Sequence, residues 1–395
     1  MSTLTRIIFL SFFILCSQIS FAQTPLDRTR IIYKSGKYTN STKIIVEIHG
    51  TGITQMMASG SPSFEGSRWI RFQTPFNYTL SAGDGTKSVY YKFKDVDGNE
   101  SKTLMKKIIL DTEPPTDIGV KMDVPSNYLT DQNSLKVGVI LSAKGAKYYQ
   151  LGNTTSFHGN KWRLIQDDYV EWELTAGDDG IRKIYARYRD QAGNVSPVVS
   201  DEITVDRTAP FAGGIKINDG AKITNRQDRT VNVSFTCRQV DSMIVAQDPK
   251  FIDSKWELFN GKKTIKLTDG DGKKMIYVRY KDLAGNQTQT YSASIDIDTQ
   301  APQNISLSIN HGEKSTTDIN KQVTLDIQPD GAKFMMISNS SSFSGGKWQQ
   351  ASTKFENWVL KGETDGMKHV YIRFKDNAGN VSRPIRASIE LKRGF

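Results

Sequence analysis

Acid–base or metal chemistry in this chain would have to begin with four histidines, and their spacing argues against it. His49, His158, His311 and His369 sit in unrelated local contexts, and no His-Glu-x-x-His pair is present to seat zinc on one helix face. There is no Gly-x-Ser-x-Gly elbow and no phosphate-binding glycine loop. A triad or metal site needs one asymmetric cluster, whereas the acids of this chain recur in register. The sequence therefore predicts a protein without catalysis and without a required cofactor.

Two polar patterns do recur. The first is Tyr-x-basic-x-basic, found as Tyr90/Lys92/Lys94, Tyr185/Arg187/Arg189, Tyr277/Arg279/Lys281 and Tyr371/Arg373/Lys375. On an extended strand these side chains share one face, opposite an apolar face such as Val370/Ile372/Phe374. Such a stripe could grip an anionic glycan. It could equally pair with acids on the next strand and discourage edge association. The second pattern is acidic. Asp111, Asp206 and Asp298 open Pro-containing linkers, and Asp95, Asp97, Asp190 and Asp282 lie in D-x-x-G-N turns. Together they could hold calcium where successive domains meet. Calcium takes roughly six to eight oxygens, however, and an Asp ahead of a Pro can simply cap a turn.

The elements that must position these residues follow from a repeat. The turn glycine recurs at Gly98, Gly193, Gly285 and Gly379, in steps of 95, 92 and 94 residues. Aromatic pairs keep the same phase at Phe64/Trp69, Phe157/Trp162, Phe251/Trp256 and Phe343/Trp348. That constancy predicts that the pairs pack into cores. The runs "KIIVEIH", "TVNVSFT" and "QVTLDIQ" alternate with period two, and Gly, Asn, Asp and Pro clusters separate them. A period of this length lets each copy be a complete domain. The expectation is an all-β protein of four tandem immunoglobulin-like β-sandwich domains in an elongated array. The boundaries are 1–22 for a signal peptide and 23–111, 112–206, 207–298 and 299–395 for the repeats. In the turns, Gly-Asn is expected to supply left-handed residues.

The phrases "MISNSSSFSGGKW" and "VYIRFKDNAGNVS" of the fourth copy, with the linkers "DRTAP" and "DTQAP", resemble bacterial immunoglobulin-like tandem repeats, related in shape to fibronectin type III domains. The resemblance covers essentially all of the chain after residue 22. It implies a secreted or surface protein in which the repeats act as spacers, adhesion modules or appendages to enzymes. The first copy departs most, with "DVDGN" in its turn and no Ala-Pro in its opening linker.

Bulk composition fits that picture. The 395 residues are 37% hydrophobic, enough for several small cores, with a formal net charge of +10. A basic chain favours an acidic partner, but the charge reads as spread through all four copies without a basic tail, and nucleic acid is not the expected partner. Residues 7–16, "IIFLSFFILC", follow Arg6 and precede "SFA", the pattern of an exported chain cut before Gln23. Leu15 ahead of Cys16 does not suit lipoprotein processing. No later segment has the length and apolarity of a transmembrane helix. Cys237 then stands alone, aligned with Gly50, Ala143 and Pro329, and reads as a small filler. The chain stops at Phe395 just after its last strand, which favours a partner that holds it in place. The expected role is spacing and binding in the periplasm, at the cell surface or outside the cell. The expected partner is another envelope or surface protein, or an anionic glycan. The alternatives are an accessory subunit of a secretion, motility or uptake complex, or a polysaccharide-binding module that serves an enzyme.

Overall fold

The computed structural model describes residues 25–394. The signal-peptide reading of 1–22 lies outside them. Strands account for nearly all regular structure, and the only helical segments are three single 3-10 turns. The described strands form four sandwiches, each with one three-stranded and one five-stranded sheet. They fall into two compact units, one ending at Val205 and the other beginning at Asp206, with two sandwiches in each.

The fourth sandwich shows the plan. Its smaller sheet runs Ile305–Ile309, Gln322–Pro329, Lys354–Val359, all antiparallel. Its larger sheet runs Ser315–Thr316, Ile385–Leu391, Gly366–Lys375, Phe334–Ser338, Gln349–Gln350. The first strand of the repeat is thus split between the two layers. Its second part, Ser315–Thr316, pairs in parallel with the last strand. The same parallel pair occurs in the other copies, at Tyr38–Thr39, Tyr128–Leu129 and Ile223–Thr224. This split first strand and the crossover between layers define an immunoglobulin-like, fibronectin type III-like sandwich.

Period-two patterning explains the layering. Along Gly366–Lys375, Val370, Ile372 and Phe374 are fully buried and the intervening residues are half-buried. Val89/Tyr91/Phe93, Ile184/Ala186/Tyr188 and Ile276/Val278/Tyr280 repeat this arrangement. Each sandwich has its own apolar cluster, as expected of a repeat long enough to bury a core by itself. A buried phenol needs a partner for its hydroxyl. Tyr188 and Tyr280 donate across the sandwich to the carbonyls of Gly119 and Gly214, the latter at 2.5 Å, and Tyr91 donates to the Tyr33 hydroxyl at 3.3 Å. Phe374 in the fourth copy and Phe93 in the first fill the place of Tyr188 and Tyr280 and need no partner, while Tyr91 sits two residues earlier on its strand. Cys237 is half-buried beside the third core, and burial raises its thiol pKa.

Candidate binding face and the turns that staple the linkers

The recurring polar residues lie on the outer face of each five-stranded sheet, where they form stacks with the Phe/Trp pairs. In the second repeat the Arg187 guanidinium lies 4.6 Å from the Phe157 ring centre and 5.3 Å from Trp162. Arg189 lies 4.6 Å from Trp162 and 5.0 Å from Tyr148. In the fourth, Arg373 is 4.6 Å from Phe343 and 5.3 Å from Trp348, and Lys375 is 4.6 Å from Trp348 and 5.1 Å from Phe334. The third copy keeps Arg279 over Phe251 and Lys281 over Trp256, and the first keeps Lys92 over Phe64 and Lys94 over Trp69. Tyr90, Tyr185, Tyr277 and Tyr371 are half-buried beside these stacks and take no cation.

The expectation that the Phe/Trp pairs pack into the cores holds only in part. Phe64, Phe157 and Phe343 are buried, as expected, but beneath the cations and outside the four core clusters, while Phe251 and the four Trp are only half-buried. They reach the outer face through a tight turn in which the Phe itself is left-handed, with φ of 57°, 51°, 58° and 56° at Phe64, Phe157, Phe251 and Phe343. An L-residue there costs roughly 1–2 kcal/mol. A half-buried cation over an aromatic face contributes about 0.5–2 kcal/mol, enough to offset it.

The copies differ in what neutralises the cations. In the first, Glu100 meets both Lys92 and Lys94 at 3.3 Å, and its carboxyl is held below the usual range first by the Lys92 hydrogen bond and then by that of Lys94. Val195, Gln287 and Val381 take that place in the others. There the stacked cations have no carboxylate partner among the described residues. Arg187 donates to Gln150 at 2.8 Å and Arg279 to Thr290 at 2.8 Å, while Nε of Arg373 is buried without an acceptor.

The D-x-x-G-N turn has a second task that the sequence did not reveal. Asp190 Oδ1 accepts from the backbone N–H groups of Gly193 at 2.6 Å and Asn194 at 2.9 Å, and Oδ2 accepts from the Asn194 side-chain amide at 2.7 Å. The same amide donates to the carbonyl of Asp111 at 2.7 Å. Asp111 begins the linker that precedes the repeat, 83 residues earlier. Asn286 reaches Asp206 at 3.0 Å and Asn380 reaches Asp298 at 2.8 Å in the same way. Gly193 and Gly379 are left-handed, whereas the Asn is not, which corrects the expectation that both supply that conformation. Asn serves through its side chain. Two residues on, Ser101, Ser196, Thr288 and Ser382 each accept the N–H of the last core residue of the long strand, at 3.0, 3.0, 3.1 and 2.9 Å.

The linkers are also gripped from the preceding sandwich. Asp84 accepts from both the N–H and the hydroxyl of Thr112, at 3.1 and 2.9 Å, and Asp271 does the same for Thr299, at 2.8 and 2.9 Å. Asp365 holds Arg393 at the matching place in the fourth copy. Within the first unit, the linker at Asp111–Thr112 is thus held by both flanking sandwiches. The second unit repeats the arrangement at Asp298–Thr299. A Cβ on Gly193 would lie 3.6 Å from Asn40, and one on Gly379 3.5 Å from Asn225, so each turn tip also abuts the sandwich before it.

The proposed calcium ligands occupy these turns and linkers. The carboxylates of Asp190 and Asp282 are filled by N–H donors. Asp95 is bonded to Asn99, whose side-chain amide holds its pKa low, and Asp97 lies exposed at the turn tip. Asp111, Asp206 and Asp298 accept from the N–H two residues on, which caps the turn. An Asn amide, a donor, stands between the linker carbonyl and the turn carboxylate, so this donor set does not fit a cation. No group of three acids, histidines or cysteines converges among the described residues.

Fold and site together define a tandem array of immunoglobulin-like, fibronectin type III-like sandwiches with stapled linkers. No family model matches the chain, and no curated protein matches it. Among solved structures, it is similar to the fibronectin(III)-like modules of CbhA from Clostridium thermocellum. The match has 15% identity over 45% of this chain and 94% of that one, with a TM-score of 0.33. The class therefore rests on sheet order and register. No helix among the described residues is long and apolar enough to cross a membrane.

Proposed function

We propose that the chain is a non-catalytic, exported spacer that fixes the separation of binding surfaces at the bacterial envelope or outside the cell. The observation that carries this reading is the doubly held linker. Asp84 and Asn194 grip residues 111–112 from opposite sandwiches, and Asp271 and Asn380 grip 298–299. An array that needed only to display independent modules would gain nothing from hydrogen bonds that hold its linkers from both sides. The recurring acids and amides are spent on these joints, and the stacked cations on the sheet face. Both uses suit a scaffold better than a reaction centre.

Distance measurement between spin labels at Glu65 and Asp167, on a Cys237→Ser background, tests the joint directly. The parent should give one narrow distribution, and Asn194→Ala should broaden it. Equally broad distributions in both would sink the spacer reading. A pull-down from envelope fractions then separates the roles: one stoichiometric protein marks an accessory subunit, and retention on glycan without such a protein marks an adhesin.

A further inference from the structure

The second repeat differs from its siblings in charge. Residues 112–206 hold 10 Lys and Arg against 14 Asp and Glu, a net of −4. The flanking segments 23–111 and 207–298 carry 13 against 8 and 15 against 11, and residues 299–395 carry 13 against 9. The positive charge is therefore not spread through all four copies, and a polyanion would meet repulsion at the second.

The same repeat holds an unusual tryptophan. Five of the six tryptophans have a stacking partner: Trp69, Trp162, Trp256 and Trp348 under cations, and Trp358 edge-on to Phe355. Trp172 has neither. Its indole N–H donates to Asn153 at 2.9 Å, which fixes the ring, and part of the ring rests against the core. It also lines two adjoining clefts, of about 380 and 320 Å³, at the edge where the two sheets of the sandwich meet. Both volumes lie in the range of small-ligand sites. Lys136, Arg163, Glu171 and Glu173 line the smaller cleft, and Arg163 is shared with the larger. None of these four has an ion-pair partner among the described residues.

We infer that this edge of the second repeat binds a neutral oligosaccharide chain, with Trp172 as the stacking platform. A sugar ring offers an apolar C–H face to an indole and a rim of hydroxyls that both donate and accept. The smaller of the two clefts that share Trp172 is lined by two carboxylates and two cations, which meet that rim as acceptors and donors. A cationic ligand would be opposed by Lys136 and Arg163, and a polyanion by Glu171, Glu173 and the net charge of the repeat. The fixed ring and the strand-borne side chains mean that little has to be ordered on binding. The inference rests on the reading of the chain as a spacer for binding surfaces, and it assigns one such surface.

Electrophoresis of the full chain through native gels that contain hydroxyethylcellulose, xylan or galactomannan tests it, with dextran sulfate as the polyanion control. Retardation is expected in at least one neutral gel. Trp172→Ala should weaken it about tenfold or more, the equivalent of roughly 1.4 kcal/mol. The double variant Glu171→Gln, Glu173→Gln leaves the ring and the fold in place and should weaken it as well. Trp358→Ala should leave it unchanged. Hydrogen exchange in the strand Gly180–Arg189 shows whether Trp172→Ala keeps the repeat folded. No retardation in all three neutral gels, or retardation that neither variant alters, overturns the proposal. Retardation by dextran sulfate alone also overturns it and moves binding to the stacked cations. None of these outcomes bears on the label distances, so the spacer reading is tested separately.

Discussion

Removing one tryptophan from a cation stack separates two accounts of the same residue. Trp348 lies 5.3 Å from the Arg373 guanidinium and 4.6 Å from the Lys375 ammonium, is half-buried, and touches no core cluster. Two partly desolvated cation contacts at about 0.5–1 kcal/mol each, with a modest loss of buried apolar area, put Trp348→Ala at roughly 2 kcal/mol. A core tryptophan would cost about 3–5 kcal/mol. The stronger discriminator is coupling. A double-mutant cycle of Trp348→Ala with Lys375→Met should show an interaction of about 0.5–1 kcal/mol, whereas a core anchor would be indifferent to an outer lysine. Four tandem domains do not unfold as one unit, so a single melting curve is a poor readout. Amide exchange within Gly366–Lys375 reports the opening free energy of the fourth repeat in the intact chain. A loss above roughly 4 kcal/mol without coupling would refute the stack as the source of stability, and a loss near zero would make Trp348 a bystander.

Three further outcomes follow from the same geometry. Burial pushes the Tyr33 and Tyr188 pKa values up to about 12, and those of Tyr91 and Tyr280 also upward. Because the unfolded chain loses these protons near its ordinary pKa and the folded chain holds them, stability is intact below about pH 10 and falls as pH rises toward about 12. Exchange between pH 8 and pH 11 should accelerate, relative to the intrinsic rate, in the first three repeats more than in the fourth, whose core cluster holds no tyrosine; uniform acceleration would contradict this. Chelation of divalent ions should leave melting and label distances unchanged, since backbone N–H groups and Asn amides already occupy the turn and linker acids; a fall of several degrees would show a cation at the joints. Asn380→Ala strips partners from the Asp298 carbonyl and the buried Asp376 carboxylate. It should cost about 2–3 kcal/mol by the usual penalty for unmet buried groups, measured as in the first experiment; a cost below about 0.5 kcal/mol would mean that the staple is idle.

How much of this was legible depended on distance along the chain. Period-two alternation placed Val370, Ile372 and Phe374 inward and Arg373 and Lys375 outward, because a strand's face is fixed by its neighbours in sequence. The glycine steps exposed four copies. The Asn194–Asp111 bond spans 83 residues, and nothing local to "AGNVS" demands it. Its one trace is that Asn and Asp recur together where Gly alone would complete the turn. The stacks stayed hidden for a related reason. A shared phase of Phe/Trp and strand fits inner or outer packing equally, and the choice turns on a left-handed Phe that sequence pattern does not predict. Two other copies carry Tyr78 and Ile265 at the place of Trp172, a variation that in the sequence alone points to packing. What sets it apart is the lack of a ring or cation partner, a property of the surroundings.

Each staple also gives the array a direction in time. The linker at Asp111 is made before the repeat whose turn will fasten it, and Asn194 arrives 83 residues later. The joint at Asp298 waits in the same way for Asn380. As the chain lengthens from its N-terminus, each of these two joints lacks its second grip until the following sandwich has closed its final hairpin. Within each unit the joint therefore closes one module behind synthesis. A stalled or misfolded repeat would leave a slack hinge immediately upstream while the earlier joints stayed locked.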